Sequence, residues 1–445
     1  MRFRIRDLPA MLCTPVGRMH VRHGIAYRSW PLMSPLARMY RRTLARHTRV
    51  IAVTGSFGKS TTTRAIAAAL DLPEHGSMLS NSWFWVALAL LRIRPGQRHA
   101  VIEVGISQPG QMKGYARTVG PDVAVITAIG SEHHRSLGTL EVTRAEKSWM
   151  LQVLPASGAA VLNGDDPNVM WMKQKTRARV VTFGFGAQCD VRADDVRLDW
   201  PRGSRFRLTA FGQERDVAVR LLGRHMVYPI LAAIAVSHLE GYALDPTLAR
   251  LRELAPTPGR MDPVLLRNGV TVLRDDFKST LETVHSALDV LAQVPASRRV
   301  VLLGSVSEPP GAQRPMYQAL GERIAAIASH LVVFHHDFEP VWSGARRAGM
   351  SKASVTVAER TVHDAAEALS QLLLPGDVLL IKGRGPEKLD RVRLILEGRQ
   401  VGCDIRYCSL RTLECEQCPM LERVACAREA LPVGAAFPMA HLDDE

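Results

Sequence analysis

The segment Thr54-Gly55-Ser56-Phe57-Gly58-Lys59-Ser60-Thr61 has the composition of a phosphate cradle. It follows the apolar run Val50 to Val53 and opens an Ala-rich stretch that reaches Leu70, which places it between a strand and the start of a helix. Glycines there let backbone N–H groups close around phosphate oxygens, and the helix N-terminus adds positive potential. Lys59 meets the terminal phosphates, and the Ser60 hydroxyl can hold Mg²⁺. The loop is shorter than the general Gly-x-x-x-x-Gly-Lys pattern, with two residues between Gly55 and Gly58. A second chemical signal lies near the C-terminus, where Cys403, Cys408, Cys415, Cys418 and Cys426 make up five of the seven cysteines. Cys415-Glu416-Gln417-Cys418 has the gap that lets two thiolates converge on one tetrahedral ion. Structural zinc is the expected occupant, with an iron-sulfur cluster or free thiols as alternatives. Cys13 and Cys189 stand alone and read as small apolar residues.

The elements that must position these groups alternate along the chain. Apolar strands are predicted at His99 to Val104, Val123 to Ile126 and Ala159 to Leu162, separated by helical or turn-rich spans, which is the pattern of a mainly parallel sheet. Residues 178–222 change to short alternating runs and read as an antiparallel element. Tyr228 to Leu239 reads as a helix, and Pro256-Thr257-Pro258-Gly259 as a linker. Beyond it, Val270 to Leu273, Val300 to Leu303, Leu331 to Phe334 and Val378 to Ile381 are apolar strands with helical spans between them. The expected class is therefore α/β. A domain with a mainly parallel sheet and the phosphate loop spans 49–258, and a second, smaller Rossmann-like α/β domain spans 259–398. A basic arm at 1–48 and a Cys-rich tail at 399–445 flank them.

Composition bounds the function. The 445 residues are 47% apolar, 22% charged and 6% aromatic, as in a soluble globular protein and unlike a disordered or fibrous one. The apolar runs fall far short of the ~20 residues needed to cross a bilayer. No secretory signal is readable at the N-terminus, so a cytoplasmic location is expected. The net charge is +14, and residues 1–50 hold eleven arginines against one acid, Asp7. Leu36, Met39, Tyr40 and Leu44 fall at helical spacing with Arg38, Arg41, Arg42 and Arg46 on the other faces, so a short amphipathic helix is expected. The arm either packs on its own globule or touches an acidic partner or membrane surface.

The short loop Thr-Gly-x-x-Gly-Lys-Ser-Thr resembles that of the Mur ligase family, and further segments are similar to that family in its own order. Ile102-Glu103-Val104-Gly105 resembles the strand end whose carboxylate helps bind Mg²⁺, and Pro121 through His133 resembles the strand leading to a metal-binding His. His134 is adjacent and could substitute for His133. Lys147 falls where many members carry a carbamylated lysine. Asn163-Gly164-Asp165 is similar to the turn on the nucleotide side, and Gly223-Arg224-His225 to the start of a helix bordering adenine. Gly259-Arg260, Asp276-Phe277-Lys278 and Gly376 through Gly383 resemble the family's interdomain and C-terminal motifs. The resemblance spans about residues 49–398 and is to the central and C-terminal domains of the type that adds D-alanyl-D-alanine to a muramyl tripeptide. It implies ATP and Mg²⁺ as cofactors. Ser60, Glu103, His133 and Lys147 would hold the metal, and Thr54 through Thr61, Asn163, His225, Arg260 and Asp276 would lie around the nucleotide. Lys59, His133, Lys147, Arg260, Asp276 and Lys278 would be the catalytic set.

The implied chemistry has its own logic. Joining a carboxylate to an amine is uphill in water, so ATP must convert the carboxylate to an acyl phosphate, which needs cations around the transferring oxygens and metal ligands on rigid strand ends. A protonated Lys147 would repel Mg²⁺, whereas its carbamate supplies anionic oxygens; the alternative is an exposed helix lysine. Arg260 and Lys278 would reach the phosphates on domain closure. Three departures stand out. Lys147-Ser148-Trp149 lacks the family's acid after the lysine, and His225-Met226-Val227-Tyr228-Pro229 lacks two amides. Only 54 residues precede Gly55, which argues against the usual UDP-muramyl substrate. The expected function is an ATP-dependent carboxylate-amine ligase acting on small molecules in specialised biosynthesis or polymer synthesis. The alternatives are a peptidoglycan-precursor ligase with truncated recognition, a basic ATPase binding nucleic acid, which the interdomain motifs disfavour, and a regulatory nucleotide-binding protein.

Overall fold

Val50 to Val53 is apolar on both faces, and such a run is stable only where both faces are covered, as in the middle of a parallel sheet. In the computed structural model β1 (Arg49–Thr54) lies between β2 (His99–Glu103) and β3 (Val123–Ile126), parallel to both. Its alternate residues feed two layers. Ile51 and Val53 pack with Ala65, Ile66 and Ala69 of the Lys59–Ala69 helix and with the Val227–Leu239 helix. Val50 and Ala52 pack with Ala37, Val86, Leu90 and Tyr115 from helices on the opposite face. The structure describes residues 8–13, 15–73, 81–308, 311–334, 339–358, 361–408, 410 and 413–423. These divide into two compact units, 26–256 and 257–423 with 8–25.

The sheet of the first unit continues through β4 (Ala159–Asn163), β5 (Arg179–Gly184), β6 (Val191–Asp199), β7 (Gly203–Ala210) and β8 (Gln213–Val219), in the order β2-β1-β3-β4-β5-β6-β7-β8. The antiparallel element predicted over 178–222 is confined to β6, β7 and β8. β5 runs parallel to β4, because its Val181 and Phe183 are buried in the core between layers and alternate only weakly. The arm forms the expected amphipathic helix, Trp30–Arg42. Tyr40 turns inward and donates to the Ile93 carbonyl, while Leu36, Met39 and Leu44 face out. Arg41 and an aromatic cluster fasten the helix in place of a leucine stripe. Arg41 Nη2 lies 2.7 Å from Asp122, and Trp30 packs edge-on against Trp83 and Tyr115.

The second unit contains β9 (Asp262–Leu265), β10 (Thr271–Asp275), β11 (Arg299–Leu303), β12 (His330–Phe334), β13 (Val355–Ala358) and β14 (Val378–Lys382). Their order is β13-β12-β11-β14-β10-β9, parallel except for β9. Its core joins Val272, Val300, Leu302, Leu379 and Ile381 to the Val362–Leu372 and Asp390–Leu396 helices. Arg391, fully buried, donates to the carbonyls of Cys403 and Ile405 at 2.8 and 2.7 Å and so ties the tail to this unit. Both units are α/β. No described helix is long and apolar enough to cross a membrane.

Candidate active site

The loop after β1 is shaped by close approach. A Cβ on Gly55 would meet Thr127 Oγ1 at 2.0 Å, so only glycine fits, and Gly58, at φ +82°, caps the Lys59–Ala69 helix. Thr127 braces the loop by donating through N–H to the Thr54 carbonyl (2.9 Å) and through its hydroxyl to the Phe57 carbonyl (2.6 Å). Ser56 N–H donates to Ala128 O at 2.7 Å. Ser60 and Thr61 are buried in the first turn of the helix, whose N-terminal dipole favours anions. Lys59 Nζ donates to the Gly55 and Ser56 carbonyls, both at 2.9 Å, and pairs with Glu132 Oε2 at 3.0 Å, with both side chains buried. The partnership with Glu132 is not apparent from the motif; the carboxylate lies 73 positions along the chain.

Three metal-side residues surround this loop. Glu103 ends β2 opposite Val53 of β1. Its Oε1 accepts from Asn81 Nδ2 at 2.8 Å, and its Oε2 is buried with no hydrogen-bond partner. Burial of an unsatisfied carboxylate oxygen costs stability unless something else uses it, and a cation fits that atom. His133 takes a left-handed backbone (φ +59°) and its Nε2 lies 3.7 Å from Glu132 Oε1. Lys147 ends the Leu140–Lys147 helix and is fully buried, not exposed, with Nζ 3.3 Å from Ser56 Oγ. Burial, with the Lys59 charge added, drives its amine well below the usual lysine range toward the neutral form. Among the described residues no group of three or more His, Cys, Asp or Glu is arranged to hold a metal. Mg²⁺ needs no such cage, since it commonly takes one or two carboxylates beside phosphate and water.

On the nucleotide side, Asn163 at the end of β4 donates to Thr127 O at 2.9 Å and accepts from Asp165 N–H at 3.1 Å. Asp165 accepts from Phe185 N–H (2.6 Å), Gly186 N–H (2.8 Å) and Tyr228 OH (2.9 Å). Tyr228 stacks edge-on to Phe185, with Arg224 over the other ring at 3.9 Å. His225 is half-buried in the turn Arg224–Met226 beside this group. Met226 and Pro229 stand where the two amides were expected, and between them Tyr228 joins an aromatic and carboxylate cluster.

Arg260, Asp276 and Lys278 come together in the second unit. A Cβ on Gly259, at φ +67°, would lie 2.8 Å from Asp276 Oδ1, and Arg260 covers Phe277 at 4.7 Å. Asp276 is buried, and that pushes its carboxyl up to about 6 despite Arg274 at 3.5 Å. Lys278 is half-buried, and its carbonyl accepts from Lys382 Nζ at 2.7 Å. Lys382 pairs with Asp275 at 2.5 Å with no exposure, and burial still lowers its basicity.

The zinc expectation fares differently. Cys426 lies outside the described residues. Cys403 and Cys415 are buried and Cys408 and Cys418 half-buried as free thiols in small apolar clusters, and burial raises the thiol pKa of Cys408, Cys415 and Cys418. The four do not form a ready tetrahedral site.

Residues 53–237 match the Mur ligase middle domain, and 259–385 match the Mur ligase glutamate ligase domain. The chain is 31% identical over 373 residues to the UDP-N-acetylmuramoyl-tripeptide–D-alanyl-D-alanine ligase of Mycobacterium tuberculosis (strain CDC 1551 / Oshkosh), covering 77% of this chain and 72% of that protein. It is 29% identical over 285 residues to the Escherichia coli (strain K12) enzyme of the same name, covering 62% of each. Among solved structures, the MurF ligase of Thermotoga maritima in complex with ADP superposes with a TM-score of 0.72 at 22% identity, covering 83% of this chain and 84% of that one.

Proposed function

The chain belongs to the Mur ligase family, and from that premise we propose that it joins a carboxylate to an amine at the expense of ATP. A carboxylate oxygen attacks the γ-phosphorus and ADP leaves; the amine then attacks the acyl phosphate carbonyl, expels phosphate and gives up a proton. In this reading the Thr54–Thr61 loop cradles the phosphates, and Lys59 exchanges Glu132 for a phosphoryl oxygen. Arg260 and Lys278 add positive charge at the transferring group. Asn163, His225 and Asp276 contact the nucleotide, with Tyr228 and Asp165 replacing the amides. Ser60, Glu103, His133 and carbamylated Lys147 would hold Mg²⁺, which when bound neutralises phosphoryl charge. A neutral Lys147 amine forms the carbamate by adding CO₂ and losing one proton to solvent.

The observation that carries this reading is Lys147. A fully buried amine 3.3 Å from Ser56 Oγ, with the cationic Lys59 rather than an acid as its main electrostatic neighbour, is a cost to folding that carbamylation turns into a ligand. A nucleic-acid ATPase has no use for such a lysine. The test is phosphate release from ATP against panels of carboxylates and amines, with the pair named for the relatives, UDP-N-acetylmuramoyl tripeptide and D-alanyl-D-alanine, as the first pair. Lys147→Ala should lose ligation while folding normally, with partial rescue by formate or acetate. Full activity without rescue would reject the assignment.

The proposal extends to the two ends of the chain. Zinc on Cys403, Cys408, Cys415 and Cys418 would have to draw these thiols into their ionised form, so binding would release protons and fail at acid pH. One zinc per chain is the expected metal content, and none under reducing conditions would leave four small apolar side chains. The basic arm is proposed to meet an anionic surface rather than nucleic acid.

A further inference from the structure

The arm's helix does two things at once. Ala37 and Arg41 face the core, while Leu32, Leu36 and Met39 face out at 77%, 45% and 58% exposure. Spaced at i, i+4 and i+7, they form one apolar stripe along the outer face. Leu44, just past the helix end, adds a further exposed side chain at 61%. Beside the stripe is a cavity of about 610 Å³ lined by Arg38, Arg41, Arg42, Arg46 and Arg117. Arg41 is already neutralised by Asp122 at 2.7 Å. Among the described residues, none of the other four has a carboxylate within ion-pair distance, and residues 26–48 contain no acid at all. Arg38 is aimed by its own bond, Nε donating to the backbone carbonyl of Arg117 at 3.0 Å. Such a set presents a concentrated positive potential that attracts anions.

We propose that this face docks on an anionic lipid bilayer, with Leu32, Leu36, Met39 and Leu44 entering the headgroup and acyl boundary and lipid phosphates seated among Arg38, Arg42, Arg46 and Arg117. Charge complementarity fixes the sign of the partner, and the stripe fixes its class. Nucleic acid or an acidic peptide would satisfy the arginines but leave four large apolar side chains in water. A bilayer surface takes both at once and needs no spanning segment. The inference is independent of the ligase reading, because docking requires neither ATP nor turnover.

The test is sedimentation of the full chain with vesicles of phosphatidylglycerol and phosphatidylcholine, compared with phosphatidylcholine alone, at physiological salt. Binding to the anionic vesicles and little to the neutral ones is expected. Arg42→Glu/Arg46→Glu should weaken partition more than tenfold, at about fivefold for each arginine near an anionic surface. Leu32→Ser/Leu36→Ser/Met39→Ser should weaken it at least tenfold, and Arg42→Lys/Arg46→Lys should retain it. All these positions are exposed, so unchanged thermal melts will confirm that the variants fold. Binding that survives the serine variant would overturn the proposal in favour of charge alone. So would equal binding to neutral vesicles, no binding by the wild type, or retention of double-stranded DNA or inorganic pyrophosphate at these salt concentrations without vesicle binding.

Discussion

Replacing Lys147 with methionine separates a neutral, carbamylated lysine from a solvated one. Burial holds the folded-state pKa of Lys147 below its unfolded value of about 10.4, and Lys59 adds to the effect. The sign follows from proton counting. Between the folded pKa and about 10.4 the unfolded chain binds one proton that the folded chain does not, so wild-type stability rises with pH there. The penalty is complete below the folded pKa and disappears above about 10.4. Methionine carries no such proton. The difference in unfolding free energy, wild type minus Lys147→Met, should therefore climb by up to about 1.4 kcal/mol per pH unit within that window. Urea melts of both proteins in CO₂-free buffer between pH 6.5 and 9.5 measure it. Bicarbonate should then stabilise only the wild type, by about 2.7 kcal/mol when dissolved CO₂ reaches 100 times its dissociation constant. Ligation by the variant should fall by about 10² to 10³. A difference flat in pH and insensitive to bicarbonate, together with full activity, would refute the reasoning and make Lys147 an ordinary lysine.

Lys59→Met should remove phosphoryl transfer by at least about 10² and, by taking the Lys59 partner from the buried Glu132, cost about 3 to 5 kcal/mol. Adding Glu132→Gln should restore the melting temperature but not the rate, and a restored rate would show that Lys59 serves only Glu132. Lys382→Met should likewise cost about 3 to 5 kcal/mol by stranding Asp275, and an unchanged melt would show the pair to be incidental. Asp276 should give a pH slope opposite to that of Lys147. Its folded carboxyl is raised to about 6 from an ordinary value near 3.9, so the folded state holds a proton longer. Wild-type stability relative to Asp276→Asn should then fall by about 3 kcal/mol as pH rises from about 4 to 7. Parallel urea melts over that range would disprove the shift.

What could be read from the chain divides by the range of the interactions. The phosphate loop was legible because its glycines, lysine and hydroxyls act on local backbone geometry, and the strand and helix around it are short-range patterns. Both β1 and the Val227–Leu239 helix appear where the apolar runs predict them. Glu132 escaped notice because its partner Lys59 is distant in sequence and nothing in Ser131-Glu132-His133 marks the carboxylate as buried. Asn81 escaped for the same reason, since its partners Glu103 and Gly105 are distant in sequence. β5 read as antiparallel because Val180 to Phe183 is too short for its period to separate a buried parallel strand from a half-buried one. The arm helix was legible from its spacing, but which face packs inward was not, because Tyr40 and Arg41 find distant partners at Ile93 and Asp122 while the aliphatic stripe stays exposed. The loss of the amides after His225 was visible, but not that Tyr228 would reach Asp165.

The central claim is that ATP activates a carboxylate as an acyl phosphate. It is tested most directly by following one oxygen. The carboxylate that supports phosphate release is labelled with ¹⁸O and turned over with ATP and the amine, and the phosphate is analysed by mass. The account predicts one ¹⁸O per phosphate released, because the bond broken when the amine attacks lies between the carbonyl carbon and an oxygen that began on the carboxylate. Unlabelled phosphate accompanying amide product would contradict it, as would the absence of any carboxylate able to stimulate phosphate release.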